Sequence, residues 1–408
     1  MPSVDESQFA PTPPPAAGGL LTVMAIFGTR SEAIKMAPIV RQLQSRGDGV
    51  KAVVCVMTQH RDLLDQILAD FDLQPDFDLD LMRPDQGLPE LTSSVLLETT
   101  RVLRQTKPDF VLVQGATTTA MAATLAAFYQ RLPVGHVEAG LRANGISPPS
   151  PEESNRRVIS TLATLHFAPT ASAEQALVSA GVAPGSIHRT GNTGVDALQL
   201  ILRSSRAPAW LAPIPGRKVV LVTAHRRENL GQPLEEICAA ISELVERYPD
   251  VEVVFPVHPD PMVTATVRRI LGWRPRVRLI DPLDYISFVY LMSKAYLVLT
   301  DSGGVQEEAP MLGKPVLILR NQTDRPEGVT AGAARLVGHS RDEILSAAGE
   351  LLTNDAAYRK MSRRRNLYGD GHAAERIVDL VLGHLGSRQH APSLAPAPEF
   401  ELAAAAPR

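Results

Sequence analysis

Thr300-Asp301-Ser302-Gly303-Gly304-Val305-Gln306-Glu307-Glu308-Ala309-Pro310 is the stretch whose reading decides the fold. The apolar run Ala295 to Leu299 ahead of it predicts a buried strand that stops at Asp301. Ser302, Gly303 and Gly304 let the backbone turn tightly, and a helix opens at Val305. The free N–H groups of that helix start suit a phosphate, and Glu308 on the first turn can reach sugar hydroxyls beyond it. A lone Gly-rich turn is more often only a turn. The rest of the chain has to decide between the two.

Outward from that stretch, short apolar runs alternate with helical patterns. The first half carries strand candidates at Leu21–Phe27, Ala52–Thr58, Phe110–Gln114, Val134–Val137 and His166–Ala168. Helices are predicted between them at Glu32–Gln44, Asp62–Asp70, Leu91–Thr106 and Ala120–Tyr129. The second half repeats the rhythm with strands at Val219–Thr223, Val251–Pro256, Val277–Ile280, Tyr296–Thr300 and Pro315–Leu319. A βαβα order run twice predicts an α/β protein of two Rossmann-like, doubly wound parallel-sheet domains facing a cleft. The switch falls near Gly191-Asn192-Thr193, giving units 20–192 and 193–371, with a last helix, 372–386, crossing back onto the first. Residues 1–19, rich in proline, and the Ala- and Pro-rich tail 387–408 are expected to be disordered.

A length of 408 residues suits two domains better than one core. With 44% hydrophobic and 21% charged residues the composition is globular, and a net charge of −3 gives no field for nucleic acid or an anionic membrane. No apolar run has the length of a membrane span, and the first residues lack the basic start and apolar core of a secretory signal. A cytoplasmic compartment is the expectation. The two cysteines, Cys55 and Cys238, lie in apolar segments and read as inert core thiols. No Cys/His spacing suggests a metal.

Polar strings sit at the predicted strand ends, where open α/β sheets bind ligands. In Gly28-Thr29-Arg30-Ser31-Glu32-Ala33-Ile34-Lys35, both Arg30 and Lys35 stand near a helix N-terminus. Cations oppose the helix dipole there but suit a pyrophosphate. Glu138 ends a strand inside His136–Arg142 with no evident structural job, which favours chemistry. Glu152 and Glu153 open a helix, and Glu153 reads as an ordinary helix-start carboxylate. His225, with two arginines in Thr223–Asn229, looks like an anion site, and Arg325 follows Pro315–Leu319 in position to close over the cleft. His258 reads equally well as a buried structural imidazole or a functional one.

Taken together, the strings resemble the non-hydrolysing UDP-N-acetylglucosamine 2-epimerases, in matching order from about Leu20 to Leu385. GTRSEAIKMAP, GHVEAGLR, PEESNR, TAHRREN, TDSGGVQEEAP and RPEGVTAG are highly specific as a set. The resemblance implies the glycosyltransferase-B arrangement and interconversion of UDP-GlcNAc with UDP-ManNAc. It also implies no metal or nicotinamide cofactor, and a homodimer. On this basis Arg30 and Lys35 line the cleft, while His225, Ser302, Gly303, Gly304 and Arg325 hold the diphosphate. Glu308 holds the ribose, and Phe288 packs near the uracil. The family's reaction removes the C2 proton and eliminates UDP to give 2-acetamidoglucal. UDP then adds back after protonation of the other face. Glu138, Glu152 and His225 are the catalytic candidates.

The sequence departs from the family where relatives read His-Gly-Asp-Thr-Thr-Thr and this chain reads Gln114-Gly115-Ala116-Thr117-Thr118-Thr119. Ala116 replaces one of three acidic residues associated with catalysis. Ser31 stands where a proline is usual, and Ala143–Ser150 lacks the pattern relatives carry. Three readings follow: Glu138 and Glu152 suffice, the reaction or substrate has changed, or Ala116 is an engineered knockout. Gln114 and the altered Ala143–Ser150 string favour natural divergence over the third. The rivals to a UDP-sugar epimerase are a relative that releases UDP or acts on another UDP-sugar, a catalytically weak UDP-sugar binding protein, and a glycosyltransferase of the same architecture.

Overall fold

The computed structural model describes residues 20–57, 61–81, 86–142, 151–204, 211 and 215–390. The leader 1–19, the string 143–150 and residues 391–408 lie outside them. Strands β1 (Leu21–Phe27), β2 (Val50–Met57), β3 (Phe77–Leu79), β4 (Phe110–Gln114), β5 (Val134–Val137), β6 (Leu165–Ala168) and β7 (Ile187–Arg189) form one sheet in the order β3-β2-β1-β4-β5-β6-β7. The second sheet is β10 (Val277–Ile280), β9 (Val251–Pro256), β8 (Lys218–Thr223), β11 (Leu297–Thr300), β12 (Val316–Ile318) and β13 (Ala334–Leu336), in that spatial order. Every strand pairing among the described residues is parallel.

The cause is visible in the strands themselves. β4 and β11 are buried on both faces along their whole length, as continuous apolar runs must be when helices cover each side. The strand order reverses between β1 and β4 in one sheet and between β8 and β11 in the other. Such switch points open a crevice at the carboxyl ends of the strands. Cys55 and Cys238 are both buried and free, and burial pushes each thiol up to about 12.

Two crossings join the units side by side. Gly191 and Gly369 pack so closely that a Cβ on Gly191, at φ +94°, would sit 3.4 Å from the Gly369 Cα. Asn192 N–H donates to the Tyr368 carbonyl at 2.7 Å. The final helix, Ala373–His390, then lies against helices Arg30–Gln44 and Thr193–Ser204, with Ala374 N–H donating to Asp196 Oδ1 at 2.9 Å. It runs past the expected boundary at 386, so residues 387–390 are helix rather than tail. Their Ser387-Arg388-Gln389-His390 sequence holds no proline or glycine to stop it. No helix among the described residues is long and apolar enough to cross a membrane.

Candidate active site

The loop after β1 is fixed before any function is asked of it. Thr29 caps helix Arg30–Gln44, and buried Glu32 closes a capping box by accepting the Gly28 and Thr29 N–H groups at 2.8 Å each. Thr117 donates its hydroxyl to the same carboxylate at 2.6 Å, tying the β1 loop to the β4 loop. The Thr29-x-x-Glu32 spacing is a signature the sequence carried openly. Ser31 is exposed on the first helical turn, so losing the usual proline there opens no gap.

Helix Arg30–Gln44 then directs Lys35 into the cleft. Its ammonium pairs with the Glu138 carboxylate and lies 3.2 Å from Glu307 Oε2, on the other side of the cleft. Glu138 follows β5 with φ +62°, a left-handed backbone that costs a non-glycine residue on the order of 1–3 kcal/mol. Gln114 Nε2 donates to Glu138 Oε2 at 2.7 Å, and Arg325 Nη2 stands 3.9 Å from Oε1. Burial alone would push this carboxyl up, but the Lys35 ammonium and the Arg325 guanidinium outweigh it and hold the group below the usual carboxylate range. Lys35 is likewise disfavoured as a cation by burial, and Glu138 and Glu307 more than restore it.

The second domain supplies the opposite wall. Arg325 donates Nε–H to Glu307 Oε1 at 2.8 Å and pairs with Asp324 through Nη1. Its guanidinium lies on Gly303: a Cβ there would meet Cζ at 2.8 Å. The Gly-rich turn therefore does more than turn, because its missing side chain is the seat of a cation. Ser302 stands at the N-cap position of the short helix Gly303–Glu308 without a side-chain capping bond, and its N–H donates to Thr300 Oγ1 at 3.0 Å. Asp301, wholly buried, accepts the His225 and Arg226 backbone N–H groups at 2.8 Å and Asn229 Nδ2 at 3.0 Å. The His225 ring follows, with Nδ1 3.1 Å from Asp301 Oδ1 and its face stacked on His258 at 5.6 Å between centroids.

Glu308 is buried and accepts the Tyr285 hydroxyl at 2.9 Å. Burial, reinforced by neighbouring Glu307, lifts its carboxyl to about 7. Phe288 lies one turn beyond Tyr285 on helix Tyr285–Lys294, half-buried against the core. Arg30 reaches across the cleft and donates Nη2–H to the Leu283 carbonyl at 2.9 Å.

Glu138, Lys35 and Arg325 are thus brought together, and Gly303 lies against Arg325. Ser302 and His225 follow the ends of β11 and β8, and Arg30 stands near Glu308 and Tyr285, while Phe288 and Gly304 make no described contact with the cluster. Glu152 is not drawn in. It is exposed on the first turn of helix Pro151–Leu162 and makes no described ion pair. Glu153, expected as a plain helix-start carboxylate, is the buried one and contacts Arg142, Arg156 and Arg157. Ala116 is buried beside the cluster, its carbonyl accepting Asn155 Nδ2 at 3.1 Å. The neighbouring Gly115 carbonyl accepts a hydrogen bond from Nε2–H of His136 at 2.7 Å, and burial keeps that imidazole neutral by lowering it to about 3. Sequence reasoning passed over Glu307, Asp301, Tyr285 and Gln114 as site residues. Both Asp301 and Glu307 stand in the opening string itself. For Asp301, directly after β11, a charge at a strand end was the available signal, and Glu307, inside helix Gly303–Glu308, offered none.

Two parallel-sheet domains with carboxylates and cations converging between them define a glycosyltransferase-B-like protein with an interdomain site. The sequence pattern of the UDP-N-acetylglucosamine 2-epimerase family matches residues 41–382, and the chain belongs to that family. It is 48% identical over 373 residues to the UDP-N-acetylglucosamine 2-epimerase of Yersinia pestis, covering 89% of this chain and 99% of that one. The enzyme of the same name from Escherichia coli strain K12 is 49% identical over 370 residues, covering 88% and 98%. Among solved structures, the Neisseria meningitidis UDP-GlcNAc 2-epimerase bound to UDP-GlcNAc superposes with a TM-score of 0.86 at 44% identity, covering 89% of this chain and all of that one.

Proposed function

We propose that this chain interconverts UDP-GlcNAc and UDP-ManNAc by eliminating UDP and adding it back. The observation that carries the reading is the Glu138 carboxylate, held charged in a left-handed backbone between Lys35 and Arg325 and facing the Ser302–Glu308 turn. Glu138 takes the C2 proton as the C1–O bond to UDP breaks, which leaves a double bond between C1 and C2. Arg325, His225 and Lys35 meet the charge that develops on the departing diphosphate, together with the Ser302, Gly303 and Gly304 backbone. Glu308 holds the ribose, Phe288 packs near the uracil, and Arg30 closes the cleft over them. Proton return on the other face is assigned to Glu152, on the strength of the family motif alone. The unit boundaries that go with this reading are 20–192, completed by the final helix, and 193–371.

The reading extends to a homodimer. Leu88, Leu97, Phe128, Tyr129 and Val158 are exposed on three helices, Leu88–Thr106, Thr118–Tyr129 and Pro151–Leu162, that pack side by side. It extends also to the cytoplasm, in keeping with a nucleotide-sugar substrate and two free thiols.

Incubation with UDP-GlcNAc in D₂O, followed by NMR, tests the function. UDP-ManNAc with deuterium at C2 is the expected product. Free UDP with an altered sugar, or binding without turnover, overturns it. Arg325→Ala should weaken UDP by about 1.5–3 kcal/mol in calorimetry, the worth of a charged hydrogen bond. Gly303→Ala should do part of the same, since the new Cβ displaces the guanidinium. Unchanged affinity in both variants would remove Arg325 from the phosphate site.

A further inference from the structure

The second-domain carboxylate Glu307 has no part in the reaction as proposed, yet it is 3% exposed and touches two of that reaction's cations. Lys35 Nζ from the first domain lies 3.2 Å from Oε2, and Arg325 Nε from the second lies 2.8 Å from Oε1. The same two cations face Glu138. The four groups close a ring of alternating charge, Glu138, Lys35, Glu307 and Arg325, with two members from each domain.

We propose that Glu307 is a positioning residue that joins the two domains and sets Lys35 and Arg325 around the Glu138 base. Three features support it. Lys35 and Arg325 are like charges crowded onto one carboxylate, and a second carboxylate between them removes the repulsion that would drive them apart. Each carboxylate oxygen of Glu307 serves a different domain, so its two contacts exist together only when the cleft is closed. Neighbouring Glu308 faces away, its carboxylate taken by Tyr285, and does not compete for the two cations.

A purely diphosphate-binding role is excluded by sign, because a carboxylate beside Arg325 opposes an incoming diphosphate. Glu307 therefore adds nothing to UDP affinity, and its benefit lies in geometry. The expected signature is a split between affinity and rate.

The inference rests on the proposed epimerase reading, and its test separates the two. Glu307→Gln keeps the shape and removes the charge. Calorimetry should give UDP affinity equal to the parent's or tighter. C2 exchange with D₂O at saturating UDP-GlcNAc should fall about 10–100-fold, the cost of a misplaced catalytic group. Small-angle scattering of the ligand-free protein should show a larger radius of gyration than the parent. Glu307→Asp should recover part of the rate. Lys35→Gln with Glu307→Gln leaves neither partner of the cross-domain pair charged, and guards against a variant that fails to fold. Its rate loss should be smaller than the product of the two single losses. Additive losses, parent-like exchange in Glu307→Gln, or loss of UDP binding and exchange together would overturn the proposal. If the parent itself neither exchanges nor epimerises UDP-GlcNAc, the epimerase reading fails. The scattering comparison then decides by itself whether Glu307 joins the domains.

Discussion

Replacing Glu138 with glutamine is expected to slow exchange of the C2 hydrogen by about 10²–10⁴-fold, the usual contribution of one acid–base group. The substitution is isosteric, so Gln114 keeps an acceptor in place, and Lys35 keeps Glu307 as a partner. What disappears is the carboxylate that two buried cations hold ionised. UDP affinity should hold or improve, because a negative charge leaves the neighbourhood of Arg325. Glu138→Gly makes the same point from the backbone. It should abolish exchange while relieving the left-handed strain at φ +62°, so activity falls without a matching fall in melting temperature. Exchange by Glu138→Gln at the parent rate would mean that the carboxylate only neutralises Lys35 and Arg325, and that another group takes the proton.

How much of this could be read beforehand depends on the kind of signal each element gives. Interior strands such as β1 and β4 were legible because burial on both faces demands a mostly apolar run, and β5 and β9 were legible although they carry His136 and Glu252 inside theirs. Three edge or near-edge strands were not: β3 reads Phe-Asp-Leu, β7 Ile-His-Arg and β13 Ala-Arg-Leu. Three residues with a polar centre carry no periodicity, and their pairing is set by the neighbouring strand already in place. The site divides in the same way. Glu138 and the Gly-rich turn announced themselves because each breaks a local rule, a charge ending an apolar strand and a glycine pair opening a helix. Glu307 broke none, since a glutamate in a short helix reads as solvated surface until the other domain folds over it. For the neighbouring pair Glu152 and Glu153, the structure buries the one the sequence made structural and exposes the one it made catalytic. Adjacent carboxylates in a first turn carry no sequence signal for which faces inward. Arginines at 142, 156 and 157 settle it in three dimensions.

Restoring the absent carboxylate by Ala116→Asp is expected to raise turnover with UDP-GlcNAc, by at most about 10²–10⁴-fold. The position can take the change. Ala116 directly precedes Thr117, the N-cap of helix Thr118–Tyr129, where the helix dipole favours a negative charge by about 0.3–1 kcal/mol. Its backbone contact to Asn155 uses the carbonyl and is indifferent to the side chain. Ala116 lies two residues from Gln114, whose amide donates to Glu138, so a carboxylate at 116 enters the neighbourhood of the base. Two carboxylates in one site push one of their apparent pKa values upward, which yields an acid beside a base. A pH profile of C2 exchange should therefore gain a second limb that the parent lacks. UDP affinity should change little, because Ser302–Glu308 and Arg325 lie in the other domain. Gln114→His made together with Ala116→Asp should perform at least as well, since it returns both departed positions to the pattern of the relatives. A parent that already exchanges and epimerises rapidly would show that Glu138 and Glu152 carry the chemistry and that Ala116 is a tolerated change. Unaltered exchange in the substituted protein, with UDP affinity intact, would mean that position 116 does not limit the reaction, and the departed Ala143–Ser150 string is the next segment to exchange.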